Sequence, residues 1–280
     1  MMEPHPGLPS LNLVDLMTGT IRIGIGGWTF EPWRGRFYPD GLPHKRELEY
    51  AAGRLSSIEV NGTYYRTQKP EIFARWRDET PEDFVFALKG PRFTTNRRVL
   101  AEAGASVERF LEGAVALGPK LGPINWQFMP TKAFLPDDFE AFLDLLPPER
   151  NGLRLRHAVE LRHQSFAVPE LITLARTRGV AIVIAGDSEH PQIADPTADF
   201  AYLRIMGTHE DAETGYTPEE LDLWATRALA IAAGTTPEGL TMVGQPPATP
   251  APRDVFLYVI SGFKPANPAA AMALIERLNR

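Results

Sequence analysis

The chain carries the short apolar run Phe84-Val85-Phe86-Ala87-Leu88-Lys89, whose single charge stands at its carboxyl end. Three further runs carry their charges in their carboxyl-terminal halves: Ser57-Ile58-Glu59-Val60-Asn61, Ala158-Val159-Glu160-Leu161-Arg162 and Ile182-Val183-Ile184-Ala185-Gly186-Asp187. Short apolar runs separated by helical stretches are typical of parallel strands buried on both faces. Because ligands bind at the carboxyl ends of such strands, these charged positions are the first candidates for a functional site.

The same pattern extends along the whole chain and predicts an alternation of strands and helices. The predicted strands cover 21–28, 57–63, 84–90, 123–128, 157–162, 180–187, 200–207 and 255–261. The predicted helices cover 44–54, 70–78, 106–117, 137–146, 169–178, 218–233 and 268–278. Eight strands with helices between them favour a closed, parallel (β/α)8 barrel of the TIM type. Between the sixth and seventh strands the sequence predicts a shortened or absent helix.

Composition limits the classes of function. The chain has 280 residues, of which 44% are hydrophobic, and this length suits a single barrel domain over 20–280 with a flexible tail at 1–19. A net charge of −6 argues against general attraction to nucleic acids or anionic membranes. The absence of cysteine excludes a disulfide, a thiolate nucleophile and a Cys-ligated metal. With no signal-like or membrane-spanning segment in this sequence, we expect a cytoplasmic protein with no membrane partner.

Alternation along each strand predicts which side chains enter the barrel. In the third strand Phe84, Phe86 and Leu88 should face the helices, whereas Val85, Ala87 and Lys89 should face the barrel axis. The same rule places these polar residues near the axis at one mouth of the barrel: Glu59 and Asn61, Glu160 and Arg162, Asp187, and Arg204. Charges in so confined a place must be paired, hydrated or used by a ligand.

Several motifs in this order resemble those of the YecE-like family, also called domain of unknown function 72. They are Gly26-Gly27-Trp28, Pro32-Trp33-Arg34-Gly35-Arg36-Phe37-Tyr38-Pro39, Glu59-Val60-Asn61-Gly62-Thr63-Tyr64-Tyr65-Arg66, Phe84-Val85-Phe86-Ala87-Leu88-Lys89, Trp126-Gln127, Ala158-Val159-Glu160-Leu161-Arg162-His163 and Tyr202-Leu203-Arg204. The resemblance covers about 21–278 and implies a TIM-barrel-like fold without assigning a reaction. Where that family usually has an asparagine pair after the last strand, this chain has Ile260-Ser261.

Glu59, Glu160 and Lys89 are the predicted catalytic residues. Two carboxyl groups in a partly desolvated site can act as general acid and base. The structural alternative is that they form buried ion pairs, Glu59 with Lys89 and Glu160 with Arg204. Lys89 would bind an anion in preference to forming a Schiff base, because nearby carboxylates should raise its pKa.

Further residues at the predicted mouth are candidates for ligand contact. They are Trp28, Asn61, Tyr64, Arg92, Gln127, Arg162, Asp187 and Arg204. Two loops add positive charge, because 61–69 and 89–98 contain six Lys or Arg residues and no acidic residue. Guanidinium groups there could bind a phosphate or a carboxylate, and the aromatic rings could stack on a sugar or a base.

The sequence therefore predicts an enzyme of hydrolase, lyase or isomerase type that uses acid and base carboxylates on an anionic or sugar-containing small molecule. The histidines show no metal-binding spacing and no nucleotide-binding motif is present, so we expect neither a metal nor a cofactor. Two alternatives stay open. One is a barrel that binds or processes nucleic acid through its arginine loops, and the other is a non-catalytic sensor of a small ligand.

Overall fold

The eight predicted strands close into a barrel. The structure, a computed structural model, describes residues 18–247 and 249–279. Its barrel strands are β1 (Ile21–Gly26), β2 (Ser57–Val60), β3 (Val85–Lys89), β4 (Leu121–Gln127), β5 (His157–Glu160), β6 (Ala181–Gly186), β7 (Phe200–Ile205) and β8 (Asp254–Val259). Neighbours are parallel throughout, and β1 pairs with both β8 and β2, which closes the sheet. This confirms the predicted fold class.

Helices follow most of the strands, as the sequence pattern predicts. They are α1 (Glu47–Ala52), α2 (Gly62–Tyr65), α3 (Pro70–Asp78), α4 (Arg92–Thr95), α5 (Gly104–Ala114), α6 (Pro136–Asp144), α7 (Pro169–Thr177), α8 (Pro218–Ala232) and α9 (Asn267–Leu278). Short 3-10 helices occur at Glu31–Trp33, His44–Arg46, Leu100–Ala103, Val115–Lys120, Gln164–Phe166 and Lys264–Ala266, and Glu149–Arg150 pairs with Leu153–Arg154 as a small antiparallel ladder. The segment 187–199 contains no helix, so the predicted gap between β6 and β7 is confirmed.

Proline marks where the helices begin. It occupies the first turn of α3, α6, α7 and α8, and the residue before each of these helices is extended. A proline ring fixes φ in the helical range and lacks the N–H that a first turn leaves unpaired. At α8 the start is strengthened by a capping box, in which Thr217 and Glu220 each accept a backbone N–H from the other.

Side chains of the strands divide between two apolar layers. Phe86 and Leu88 of β3 pack in the larger layer beneath the helices, whereas Val85 and Ala87 belong to the cluster inside the barrel. Lys89 continues this inner row at the carboxyl end of β3. The alternation predicted for this strand is therefore confirmed, and it delivers one charged side chain to the mouth.

The strands end earlier than predicted at their carboxyl ends. β2 ends at Val60 because the next residues turn into α2, and β5 ends at Glu160. β6 ends at Gly186, and Asp187 after it has a φ of 52°, in the left-handed region that few side chains favour. Residues beyond these points no longer follow strand alternation, so their side-chain directions could not be read from the sequence.

The predicted tail at 1–19 falls mostly outside the described residues, which begin at 18. Gly19 donates its N–H to the carbonyl of Ala232 at 3.1 Å. In the described part of the chain, no helix is both long enough and apolar enough to cross a membrane.

Gly90 offers a test of the barrel packing. A Cβ on this glycine, which follows β3, would lie 2.2 Å from Cε3 of Trp126, a fully buried side chain. We therefore expect Gly90→Ala to lower the free energy of unfolding by about 1–3 kcal/mol, because the indole must move within a close-packed core. Urea denaturation measures this loss.

Gly53→Ala is the matched control, because its new Cβ would find its nearest atoms at an ordinary 3.6 Å. It should leave the urea midpoint close to that of the wild type. Equal midpoints for the two variants would contradict the packing described around Trp126.

Candidate ligand site at the barrel mouth

One guanidinium group joins two buried carboxylates at the carboxyl end of the barrel. Arg204 of β7 donates from Nη1 to Oε2 of Glu160 at 2.6 Å and from Nη2 to Oε1 of Glu59 at 3.0 Å. Both glutamates are fully buried, and Arg204 is 4% exposed. Side chains that are far apart in the sequence therefore meet, because β2, β5 and β7 end at the same rim of the barrel.

Further donors complete the hydrogen bonding of both carboxylates. Tyr202 donates its hydroxyl to Oε2 of Glu59 at 2.6 Å, and Asn125 donates Nδ2 to Oε2 of Glu160 at 3.1 Å. Arg162 donates two N–H groups to Oε1 of Glu160, at 2.6 and 2.8 Å. Every oxygen of the two carboxylates thus accepts at least one hydrogen bond, which is what buried charge requires.

These contacts set the protonation of Glu160. Burial by itself would raise the pKa of this carboxyl group, but Arg204, Arg162 and Lys89 together lower the pKa to about 2. Burial also works against the charge of Arg204, yet Glu160 and Glu59 raise the pKa of its guanidinium above the ordinary value. Glu160 is therefore ionised near neutral pH. This favours the ion-pair alternative for Glu160 over a role as a proton donor.

Lys89 has a different partner from the one predicted. Its Nζ donates to Oε1 of Gln127 and lies 4.5 Å from the centre of the Tyr64 ring, and no ion pair with Glu59 forms. Burial, followed by the charge of Arg204, lowers the pKa of Lys89 to about 8 against the opposing effect of Glu59 and Glu160. The carboxylates do raise this pKa, as expected, but burial lowers it by more. The expectation of a raised pKa is therefore wrong.

Gln127 connects Lys89 to the rest of the network. Its Oε1 also accepts from Nη2 of Arg162 at 3.1 Å, and its Nε2 donates to the hydroxyl of Tyr64 at 3.4 Å. Of the predicted site residues, the structure thus brings together Glu59, Tyr64, Lys89, Gln127, Glu160, Arg162 and Arg204. Within this group three cationic side chains face two carboxylates, so the network carries an excess of positive charge when Lys89 is protonated.

Four predicted ligand-contact residues lie outside this network: Asn61, which lines the cavity beside it, and Asp187, Trp28 and Arg92. Asp187 is exposed, and its Oδ2 accepts from Nε1 of Trp224 at 2.7 Å and from the hydroxyl of Tyr216 at 3.1 Å. Because the backbone of Asp187 is left-handed, its side chain does not follow the alternation along the strand on which its prediction depended. Trp28 packs edge-on against Trp76 with ring centres 5.2 Å apart, and exposed Arg92 lies over another ring. Their roles in ligand contact stay predictions.

A cavity opens beside Arg204, and a larger groove adjoins it. The mouth cavity, of about 160 Å³, is lined by Asn61, Arg204, Ser261, Lys264 and Asn267, with Gly26 and Ile260. The outer groove, of about 600 Å³, has walls that include Trp28, Tyr65 and Arg66. Gly26, Asn61 and Lys264 line both, so the groove continues from the cavity. Asn61, a predicted contact residue, stands at their junction.

Lys264 is a candidate that the sequence argument missed. Its Nζ lies 4.1 Å from the centre of the Phe30 ring, and burial lowers its pKa. Within the described residues this ammonium group forms no ion pair. The signal in the sequence was a lysine shortly after the last barrel strand. It lies beyond Ile260-Ser261, where the predicted strand ends.

The Ile260-Ser261 segment shapes the mouth without carboxamide side chains. Ile260 is buried in the inner cluster, and Ser261 has a φ of 60°. The carbonyl of Ser261 accepts Nδ2 of Asn267 at 3.2 Å, and this buried asparagine lines the mouth cavity. A carboxamide is therefore present at the mouth, although it comes from the start of α9.

The two basic loops extend this positive surface. Arg66, Lys69, Arg92 and Arg98 are exposed, and in the described part of the chain none of them forms an ion pair. Among residues 18–247 and 249–279, no three His, Asp or Glu side chains are grouped so that they could hold a metal ion.

The chain is similar to proteins of one family. The sequence model described as "Protein of unknown function DUF72" matches residues 22–280. The chain is 33% identical over 149 residues to the UPF0759 protein YecE of Escherichia coli strain K12, and equally to that of strain O157:H7. These matches cover 52% of this chain and 50% of the relative, so the chain spans about half the length of the curated relatives it matches.

Solved structures of the same family share the fold. A DUF72 family protein from Thermotoga maritima MSB8 has a TM-score of 0.72 at 21% identity, covering 93% of this chain and 100% of that one. One from Enterococcus faecalis V583 has a TM-score of 0.68 at 16% identity, covering 94% of this chain and 99% of that one. At these identities the likeness concerns the barrel fold alone.

The protonation of Lys89 can be measured directly. We expect its Nζ to titrate with a midpoint near pH 8 instead of the ordinary 10.5, because burial disfavours the charged form. NMR of the protein labelled with ¹³Cε-lysine follows the titration, and the signal missing from Lys89→Met assigns it.

The same shift fixes how stability depends on pH. Between about pH 8 and pH 10 the unfolded lysine binds a proton that the folded one has released, so the free energy of unfolding should rise with pH in this window. Lys89→Met should lose this rise, whereas Lys45→Met, at an exposed lysine, should keep it. A Lys89 midpoint above pH 10 would contradict the description of the site.

Proposed function

Since the chain belongs to the DUF72 family of proteins of unknown function, we propose from its own residues that it binds a small anionic molecule at the barrel mouth and exchanges a proton with it. The mouth cavity receives the anionic group beside Lys264 and Arg204. Lys89 does not line this cavity or the outer groove, but Gln127, Arg162 and Glu160 connect it to Arg204, and we propose it as the group of this network that takes up or releases a proton when the ligand binds. The ligand is an anionic small molecule, and a phosphorylated sugar belongs to this class. The reaction, of lyase, isomerase or hydrolase type, uses side chains alone.

The observation that carries the proposal is a lysine without a carboxylate partner in a polar cavity. Lys264 and Arg204 line the mouth cavity, and none of the described acidic side chains lines it. A half-buried ammonium group that lacks an anion is costly, and an anionic ligand would relieve that cost. Low exposure to water also strengthens the attraction between the ammonium group and the ligand.

Arg204 supports the ligand indirectly. Its guanidinium group donates hydrogen bonds to Glu59 and Glu160. It therefore offers the ligand positive charge and a fixed side of the cavity, and few free hydrogen-bond donors. Asn61 and Asn267 offer carboxamide groups on the same cavity. Lys264 is then the one cation of the cavity that is free to bind an oxygen of the ligand directly, as a charge-assisted hydrogen bond.

Lys89 suits proton exchange better than the carboxylates do. A general acid or base works best when its pKa lies near the working pH. The pKa of Lys89, at about 8, meets that condition, whereas the pKa of Glu160, at about 2, does not. We therefore propose that Glu59 and Glu160 hold Arg204 in place and that Lys89 is the titrating group of the network beside the cavity.

Phosphate binding tests the proposal. Inorganic phosphate, titrated at low salt and followed by calorimetry, should bind the wild type with a single saturable site. Lys264→Met should weaken binding by about tenfold or more, because it removes a charge-assisted hydrogen bond worth about 1.5–3 kcal/mol.

Lys45→Met removes an exposed lysine and should leave the phosphate affinity unchanged. Failure of phosphate to bind the wild type at millimolar concentration would contradict the proposal. Equal affinity of the wild type and Lys264→Met would contradict the assignment of the anion to the mouth cavity.

A further inference from the structure

The outer groove is larger than a small anion needs. Its volume of about 600 Å³ exceeds the 160 Å³ of the mouth cavity and lies within the range of pockets that hold whole organic molecules. Because the two share Gly26, Asn61 and Lys264, a molecule with its anionic end at Lys264 has room to extend into the groove.

Aromatic side chains border the groove. Trp28, Tyr65 and Trp76 all line it. Tyr65 is 65% exposed, which is more than any other large apolar side chain in the described residues. Its ring stands edge-on to that of Tyr64 with centres 5.3 Å apart, and the guanidinium of Arg92 lies 5.6 Å from its centre. These neighbours position an aromatic face that is largely open to solvent.

Two glycines leave space in the groove. A Cβ on Gly27 or on Gly62 would meet no atom within 4 Å. Gly27 has a φ of 80°, which itself favours glycine, but the φ of Gly62 lies outside that region. No neighbouring atom and no backbone requirement excludes a side chain at position 62. The glycine there leaves space that a larger residue would fill.

The charges along the groove have one sign. Arg66 and Lys264 line it, and no Asp or Glu side chain among residues 18–247 and 249–279 does. A ligand that spans both cavities would meet both cations and aromatic rings. Such a lining suits an anion that carries a planar ring, because rings stack on aromatic faces and oxygen anions bind ammonium and guanidinium groups.

We propose that the ligand of this barrel is a phosphate monoester of a planar aromatic or heteroaromatic ring, with its phosphate at Lys264 and its ring in the outer groove against Tyr65. This inference rests on the proposed function, since it extends the same ligand from the mouth cavity. It adds Tyr65 as a contact residue and Gly62 as the position that controls access to the groove.

Three probes test the inference by calorimetry: inorganic phosphate, cyclohexyl phosphate and phenyl phosphate. The wild type should bind phenyl phosphate at least tenfold more tightly than inorganic phosphate. It should bind cyclohexyl phosphate several-fold more weakly than phenyl phosphate, because a puckered ring stacks poorly. Tyr65→Ala and Gly62→Leu should each remove most of the advantage of phenyl phosphate while keeping the affinity for inorganic phosphate.

Phe93→Ala is the matched control, because Phe93 is an exposed aromatic side chain of the neighbouring helix α4 and does not line the groove. It should leave all three affinities unchanged. Equal affinity for phenyl phosphate and inorganic phosphate would overturn the ring site while leaving the anion site intact. The ring site would also be overturned if both Tyr65→Ala and Gly62→Leu still bound phenyl phosphate more tightly than inorganic phosphate, by the same factor as the wild type. Equal affinity of the wild type for cyclohexyl phosphate and phenyl phosphate would overturn it too. Failure of all three probes to bind would instead contradict the proposed function itself.

Discussion

The mouth of this barrel depends on a single guanidinium group that is shared by two buried carboxylates. Arg204 contacts both Glu59 and Glu160, and neither carboxylate reaches bulk water. Two charges of the same sign in such a place repel each other and lose hydration, so each needs a cation and hydrogen-bond donors. Tyr202, Asn125 and Arg162 are further donors to the same carboxylates. Closure of the parallel sheet makes the arrangement possible, because it brings the ends of β2, β5 and β7 to one rim.

The ion network limits which side chains could react with a ligand. Glu160, which is held by two guanidinium groups, stays ionised near neutral pH, so we propose that the cations around it act on the ligand. Lys89 is buried next to Arg204, and its pKa falls to about 8. Lys264 lies against aromatic rings beside an open cavity. A site in which guanidinium groups hold the carboxylates and a further ammonium group lines an open cavity would suit the anionic ligand that we propose.

Much of the fold, and part of the site, could be predicted from the sequence. The apolar runs predicted all eight strands, and alternation along β3 correctly placed Val85 and Ala87 inside the barrel. The carboxyl ends of the strands were less predictable, because a residue such as Asp187 enters a left-handed backbone conformation that hydrophobic patterning does not reveal. The pairing of charges was predictable only in part, because the expected Glu160–Arg204 pair forms but Glu59 also pairs with Arg204 and not with Lys89. The partner of Glu59 depends on side-chain reach across the barrel, and Lys264 lies in a short 3-10 helix after β8, where no strand pattern points to it.

The most direct test is the free energy of unfolding of Arg204→Met, measured by urea denaturation beside Arg204→Met combined with Glu59→Gln and Glu160→Gln. Removing the guanidinium alone leaves two buried carboxylates without their shared cation, so we expect a loss of about 3–5 kcal/mol. The triple variant should recover a large part of the lost free energy of unfolding, because glutamine at positions 59 and 160 carries no charge. Arg46→Met, which breaks an exposed ion pair with Glu49, should change little. An Arg204→Met variant as stable as Arg46→Met, or a triple variant no more stable than the single one, would contradict the account.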